Sequence, residues 1–177
     1  MQRWSAVEKF ISQLTITRYF GHENIIEYTN RPFTGLGKME QTLVARYRKV
    51  VTAEDTVYFL GDLSIKGSQH RAHLDWILEQ LPGTKILILG NHDKFSPFTY
   101  VDAGFQSVHT SLDIGEFVLV HDPVTCLVAK NRKWLCGHIH TLFTMNRTGN
   151  VLNVGVDQWE FFPVSLDEVR REFNETS

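Results

Sequence analysis

The sequence predicts an α/β domain carrying two sheets, and three observations predict it. Short β-branched runs recur along the chain, each stopping abruptly at Gly, Asp, Asn or His. The first of these runs are separated by segments whose apolar residues have helical spacing. Beyond Phe105 the spacing shortens and strand-like segments dominate. Near-continuous apolar runs suit strands covered on both faces, and βα alternation argues for parallel strands joined by helical crossovers. Thr56–Leu60 is the first clear run and ends at Gly61-Asp62. Lys85–Leu89 ends at Gly90-Asn91-His92-Asp93, and Phe117–Val120 ends at His121. Lys133–Cys136, weaker in β-propensity, ends at Gly137-His138-Ile139-His140.

Between them, Met39, Leu43, Val44, Tyr47, Val50 and Val51 fall on one helical face. Leu74, Ile77, Leu78 and Leu81 do the same until Pro82-Gly83 stops the helix. The later strands are expected at 105–109, 115–121, 133–136, 141–146 and 151–156. A last amphipathic segment, Leu166 to Phe173, is expected to pack on the outside as a helix. The second sheet is therefore expected to be partly antiparallel.

At 177 residues, with no repeat, low-complexity run or linker, the chain is expected to be one domain. A composition of 42% hydrophobic and 21% charged residues is that of a globular protein. The net charge of -2 gives no bulk attraction to nucleic acid or to an anionic membrane, although a local basic rim can still serve a nucleic acid. No stretch is long and apolar enough to span a bilayer. Met1 to Leu14 is interrupted by Arg3, Glu8 and Lys9 and lacks the apolar region of a signal peptide, so a cytoplasmic location is expected. Cys126 and Cys136 sit in apolar surroundings and read as buried thiols of a reducing compartment.

The chemistry is expected at the strand ends. In open α/β sheets, ligand sites form beyond the carboxyl ends of strands, where loops converge. Four strands here end in Asp62, in Asn91-His92-Asp93, in His121 and in His138-x-His140. Carboxylate, amide oxygen and neutral imidazole together suit a hard-to-borderline divalent ion. Taken singly the pieces are weaker: a Gly-Asp after a strand is most often a turn, and a lone His is most often a surface residue. Gly-His-x-His is better, because a period of two sets both imidazoles on one side of an extended chain.

This ordered set resembles the calcineurin-like metallophosphoesterases over about residues 10 to 170. Phe20 to Ile26, Asn30-Arg31-Pro32-Phe33 and Leu152 to Asp157 resemble small bacterial and phage-type members. The resemblance implies a metallo-dependent phosphatase fold, a four-layer α/β/β/α sandwich of two mixed sheets flanked by helices. It also implies a phosphoesterase using one or two divalent ions, with Mn, Fe, Zn or Ni all reasonable. Asp62 would bridge two metals, Asn91, His121 and His138 would complete the second site, and His140 would belong to the first. His92 would protonate the leaving oxygen or stabilise charge on the phosphoryl group, and Asp93 would orient His92. Arg31, and more weakly His22, are candidates for substrate contact, with a fold-stabilising hydrogen bond an equal reading for Arg31. The implied partner is a small phosphorylated substrate such as a nucleotide, with neither membrane nor nucleic acid favoured.

One departure stands out. The family opens with Asp-x-His at the end of the first strand, where this chain holds Thr17 and Tyr19. If Phe10-Ile11-Ser12 were the strand instead, Gln13 and Thr15 would stand there. Three outcomes stay open: a single-ion enzyme, a first site rebuilt by His22 or another group, or a lapsed domain that binds without turnover. Elsewhere, His70 and His73 read as surface residues, the four tryptophans as packing, Asp157 as a weak site candidate, and Lys130 to Lys133 as a hairpin tip.

Overall fold

The computed structural model describes residues 13–16, 20–63, 71–128, 131–146 and 148–175. The first sheet contains β1 (Gln13–Ile16), β2 (Thr56–Phe59), β3 (Thr84–Ile88), β4 (Ser107–His109) and β9 (Val164–Ser165), in the order β4-β3-β2-β1-β9. Its first four strands are parallel, and β9 is antiparallel to β1. The second sheet contains β5 (Ser111–Asp113), β6 (Phe117–Val120), β7 (Lys133–Cys136) and β8 (Val151–Asn153), in chain order. There β5 is antiparallel to β6, and β6, β7 and β8 are parallel.

Side-chain alternation along the strands sorts the core into layers. Val57, Phe59 and Leu87 point to the helices α2 (Leu36–Val50), α3 (Arg71–Gln80) and α4 (Pro97–Ala103). Tyr58, Leu60 and Ile88 point the other way, against Phe117, Leu119, Leu135 and Leu152 of the second sheet. The outer face of the second sheet buries Val120, Cys136 and Val151 against Cys126 of a 3-10 helix, Pro123–Val128. That short helix is the thin fourth layer, and both cysteines are buried.

α2 forms because Met39, Leu43 and Tyr47, four residues apart, all become fully buried on one stripe. Burying each such side chain contributes about 1.5–3 kcal/mol. α3 ends where Gly83 takes φ +89, a turn in which an added Cβ would meet the Asp55 carbonyl at 2.9 Å. A short helix α1 (Ile25–Tyr28) precedes α2, and α5 (Leu166–Glu175) closes the described chain.

Several expectations are corrected. Residues 141–146 form no strand; a single antiparallel bridge joins Met145 to Leu152. α4 was not foreseen; it starts at Ser96, whose side chain accepts from Thr99 N–H, and has Pro97 in its first turn. α5 is the outer amphipathic helix expected from the sequence: Leu166, Val169 and Phe173 turn into the apolar cluster of the sheets, while Asp167, Arg170 and Arg171 stay exposed. The segment before Lys133 is no hairpin tip, because β6 and β7 are parallel and joined by a crossover. His73 is not a free surface residue, since its Nε2 lies 3.1 Å from Glu40 Oε1; its ring stacks on Trp76, which is 42% exposed rather than packed inside. His70 lies outside the described residues.

Candidate metal centre

The carboxyl ends of β2 and β3 in one sheet and of β6 and β7 in the other deliver the candidate residues to one place. After β2 the chain turns through two successive left-handed residues, Gly61 (φ 83) and Asp62 (φ 54). A left-handed aspartate carries strain, and hydrogen bonds hold it. Asp62 N–H donates to Asp93 Oδ2 (2.8 Å), and Asp62 Oδ1 accepts from His92 N–H (2.8 Å). The loops after β2 and β3 approach so closely that a Cβ on Gly61 would lie 2.6 Å from Gly90 Cα.

Asp62 is fully buried, and its second oxygen faces His121 Nε2 at 3.2 Å. His121 Nδ1 lies 2.7 Å from the Leu60 carbonyl, which can only accept, so Nδ1 carries a proton. In the neutral ring this leaves the Nε2 lone pair pointing at Asn91 Oδ1 (2.9 Å) and His138 Nδ1 (3.0 Å) as well as at Asp62. Ligating atoms of Asp62, His121 and His138 all lie within 4.8 Å of one another. Four acceptors converging on one point repel unless a proton or a cation sits among them. Burial alone would lower the His121 pKa, but the hydrogen bond and charge of Asp62 raise it on balance. His138 is lowered, by burial first and then by His121.

The donor set fits a divalent ion. Ligands bonded at about 2.0–2.2 Å in a tetrahedron sit roughly 3.3 Å apart, close to the spacings seen here. A backbone carbonyl fixing the far nitrogen of a histidine is the usual way in which a ligating tautomer is set. Asp62, Asn91, His121 and His138 would hold such an ion.

Asp93 does not reach His92. Its carboxylate accepts the N–H groups of Gly90 (2.8 Å), Asp62 (2.8 Å) and Leu63 (3.1 Å), and the Tyr100 hydroxyl donates to it at 3.4 Å. It therefore ties the loops after β2 and β3 together. Burial pushes its pKa up to about 6 against those hydrogen bonds.

His140 stands apart from the four. Its backbone is left-handed (φ 46), and its carbonyl accepts from Asn153 Nδ2 (2.7 Å) and Gln158 Nε2 (2.8 Å). Its Nδ1 faces Asp157 Oδ2 at 3.4 Å. Asp157 is in turn gripped by Arg31 through Nε (2.7 Å) and Nη2 (2.8 Å), with side-chain exposures of 5% and 1%. Burial would raise the Asp157 carboxyl, but His140 and Arg31 hold it below its ordinary value. Of the two readings of Arg31, the structure shows the fold-stabilising one, a buried pair with Asp157. His22 lies close to this cluster: burial lowers its pKa first, and the charges of His92 and His140 lower it further.

Sequence reasoning missed Asn153 and Gln158, which clamp His140. Asn153 left one signal, a polar residue between Leu152 and Val154 that becomes fully buried. Gln13 and Thr15 pair within β1 with Thr56 and Tyr58, so they do not follow the carboxyl end of a strand. That favours Thr17 and Tyr19 as the positions after the strand; both lie outside the described residues.

The protein MJ1445 of Methanocaldococcus jannaschii is 34% identical over 157 residues, covering 84% of this chain and 83% of its own. The Gene 66 protein of Mycobacterium phage D29 is 30% identical over 196 residues, covering 89% of this chain and 92% of its own. The crystal structure of AQ665 from Aquifex aeolicus superposes with a TM-score of 0.66 at 24% identity, covering 90% of this chain and 98% of that one, which speaks for the fold alone. Residues 36–172 match the profile of the calcineurin-like phosphoesterases. With the profile spanning most of its length, the chain belongs to the calcineurin-like phosphoesterase family.

Proposed function

We propose that the protein is a metal-dependent hydrolase of a phosphomonoester or phosphodiester, with a small phosphorylated compound such as a nucleotide as substrate. The observation that carries this is the convergence of Asp62, Asn91, His121 and His138 on one point, with His121 locked in the ligating tautomer by Leu60. A divalent ion (Mn, Fe, Zn or Ni) bound there would lower the pKa of a coordinated water toward neutrality and draw charge from a phosphoryl group.

The chain's own groups supply the rest. His92, whose backbone N–H donates to Asp62 Oδ1, is read as the donor of a proton to the leaving oxygen. Asp93 keeps Asp62 and Gly90 in register. His140, held through Asp157 by Arg31, is read as a further ligand or charge.

Purified protein supplied with Mn²⁺ should hydrolyse a nitrophenyl phosphodiester or monoester and lose this on chelation. His92→Ala should retain the ion and lose more activity on an alkyl ester than on a nitrophenyl ester, because nitrophenolate departs without a proton. No turnover across a panel of divalent ions by folded protein refutes the proposal. The second reading, a domain that binds without turnover, is favoured by Thr17 and Tyr19 standing where the family has ligands. Metal analysis separates the two, since clearly less than one ion per chain after metal-replete purification supports the second.

A further inference from the structure

α2 carries Lys38, Arg46, Arg48 and Lys49, and its one carboxylate, Glu40, is buried. Among the described residues none of these four cations pairs with a carboxylate, although the chain as a whole has a net charge of -2. Lys38, Arg46 and Lys49 share one helical face. With Thr42, Ala45 and Phe162 they line a shallow concavity of about 520 Å³.

Two of the cations are held in place. Arg46 lies 5.2 Å from the centre of the Phe162 ring and 5.4 Å from that of Phe161, and it donates to the Glu160 carbonyl. Lys49 Nζ lies 5.8 Å from the Phe162 ring. Ordering long cationic side chains before a ligand arrives removes part of the entropy cost of binding.

The face leads to the metal centre. α2 follows β1 and precedes its parallel neighbour β2, so its amino end, with Lys38, lies at the sheet edge from which Asp62 projects. Phe161 also lies 5.7 Å from Arg31, and Arg31 holds the Asp157 that faces His140. From Lys38 to Lys49 the helix rises about 16 Å. Over that length even one strand of a duplex carries several phosphates, at about 3.4 Å each. Among the described residues the large exposed apolar side chains are Tyr28, Trp76, Phe98, Val101, Val124 and Leu142, none of them on this face, which speaks against insertion into a lipid surface. A cationic groove with an aromatic floor and a planar guanidinium is what backbone phosphates and stacked bases of a single strand require.

We propose that this face binds single-stranded nucleic acid, whose phosphodiester backbone runs along α2 toward the metal centre. Cleavage of that strand rests on the phosphoesterase reading, whereas binding does not. The test is fluorescence anisotropy of a labelled oligonucleotide of about a dozen nucleotides, with the full chain kept in chelator across a salt series. Three phosphate contacts predict a log–log salt slope near -2, a roughly twenty-fold loss of affinity between 50 and 200 mM salt. Lys38→Ala with Lys49→Ala, both exposed positions, should flatten the slope and weaken binding about tenfold at low salt. Hydrolysis of a nitrophenyl diester should stay within about twofold, because neither residue touches the centre. Phe162→Ala should weaken binding with little change in slope.

Absence of binding at low salt, affinity unchanged in the double variant, or preference for phosphatidylserine vesicles over the oligonucleotide overturns the proposal. Binding in chelator without turnover of any ester with metal added would overturn the phosphoesterase reading alone. Turnover of the small diester without oligonucleotide binding would overturn this one alone.

Discussion

Replacing Gly90 by alanine should damage the centre through space alone. A Cβ built there would lie 2.3 Å from Asp62 Oδ1, 2.5 Å from Asp62 N and 2.9 Å from Asp62 Cγ. Ordinary contacts of this kind are about 3.5 Å, so the overlap is near 1 Å and falls on a backbone atom and a carboxylate. Neither is the loose end of a flexible side chain. Gly90 is not in the left-handed region, so its backbone suits alanine and the effect is one of space alone. Forcing an extra carbon into a packed site costs about 1–3 kcal/mol. Displacing Asp62 Oδ1 also loses the bond from His92 N–H, worth about 1 kcal/mol more.

The expected loss is therefore about 2–4 kcal/mol, or roughly 10 °C in Tm for a chain of this size. A ligand oxygen shifted by near 1 Å lies far outside the tolerance of about 0.2 Å that metal bonds allow, so affinity for the ion should fall with stability. Gly37→Ala is the control: nothing lies within 4 Å of its added Cβ, and it sits inside α2. That change should stabilise, by up to about 1 kcal/mol. Urea titration and calorimetric metal titration of both variants provide the comparison. A Gly90→Ala protein as stable as the native one, with unchanged metal affinity, would refute the reasoning.

Asp93→Asn should cost about 2–4 kcal/mol in urea titration, because an amide nitrogen would face backbone N–H groups that now share a carboxylate. Arg31→Met should cost about 3–5 kcal/mol at neutral pH by leaving the Asp157 charge buried and unpaired. The pH dependence follows from the sign of the Asp157 shift. Its native pKa lies below the unfolded 3.8, so the gap in stability between native and Arg31→Met should be full at neutral pH and shrink as pH falls below 3.8. Thr17→Asp with Tyr19→His should raise metal content by about one ion per chain if these positions are the lost ligands, and the same exchange at Gln13 and Thr15 should not.

The sequence announced those parts of the fold in which a single stretch decides its own state. β2, β3, β6 and β7 are short apolar runs with an abrupt polar stop, and α2 and α3 carry full helical stripes. β5 and β9 are three and two residues long and owe their pairing to neighbours, so no local pattern marks them, whereas β4 falls within the strand expected at 105–109. α4 holds Phe98, Thr99, Tyr100 and Val101, weak helix formers that its Ser96 cap and its packing override. The candidate ligands were legible because each follows a strand directly. The partners of Arg31 and Asp93 were not, since Arg31 and Asp157 stand 126 residues apart and only the closed fold joins them. Asp93 follows His92 in sequence, yet its side chain turns to the loop after β2.

Asp62 and Asn91 leave the first sheet, while His121 and His138 leave the second, so these four side chains straddle the seam between the sheets. Below this edge the seam is filled by apolar side chains such as Leu60, Ile88, Leu119 and Leu135. At the edge, these four polar side chains take their place. An ion seated there would act as a rivet driven through one margin of the sandwich. At a hundredfold excess over its dissociation constant it would add about 2.7 kcal/mol to the clamped form. Its removal should quicken amide exchange around Leu60 to Leu63 and Cys136 to His138 and leave α2 untouched. Chelation would then part the two sheets along that margin while the rest of the sandwich stays shut.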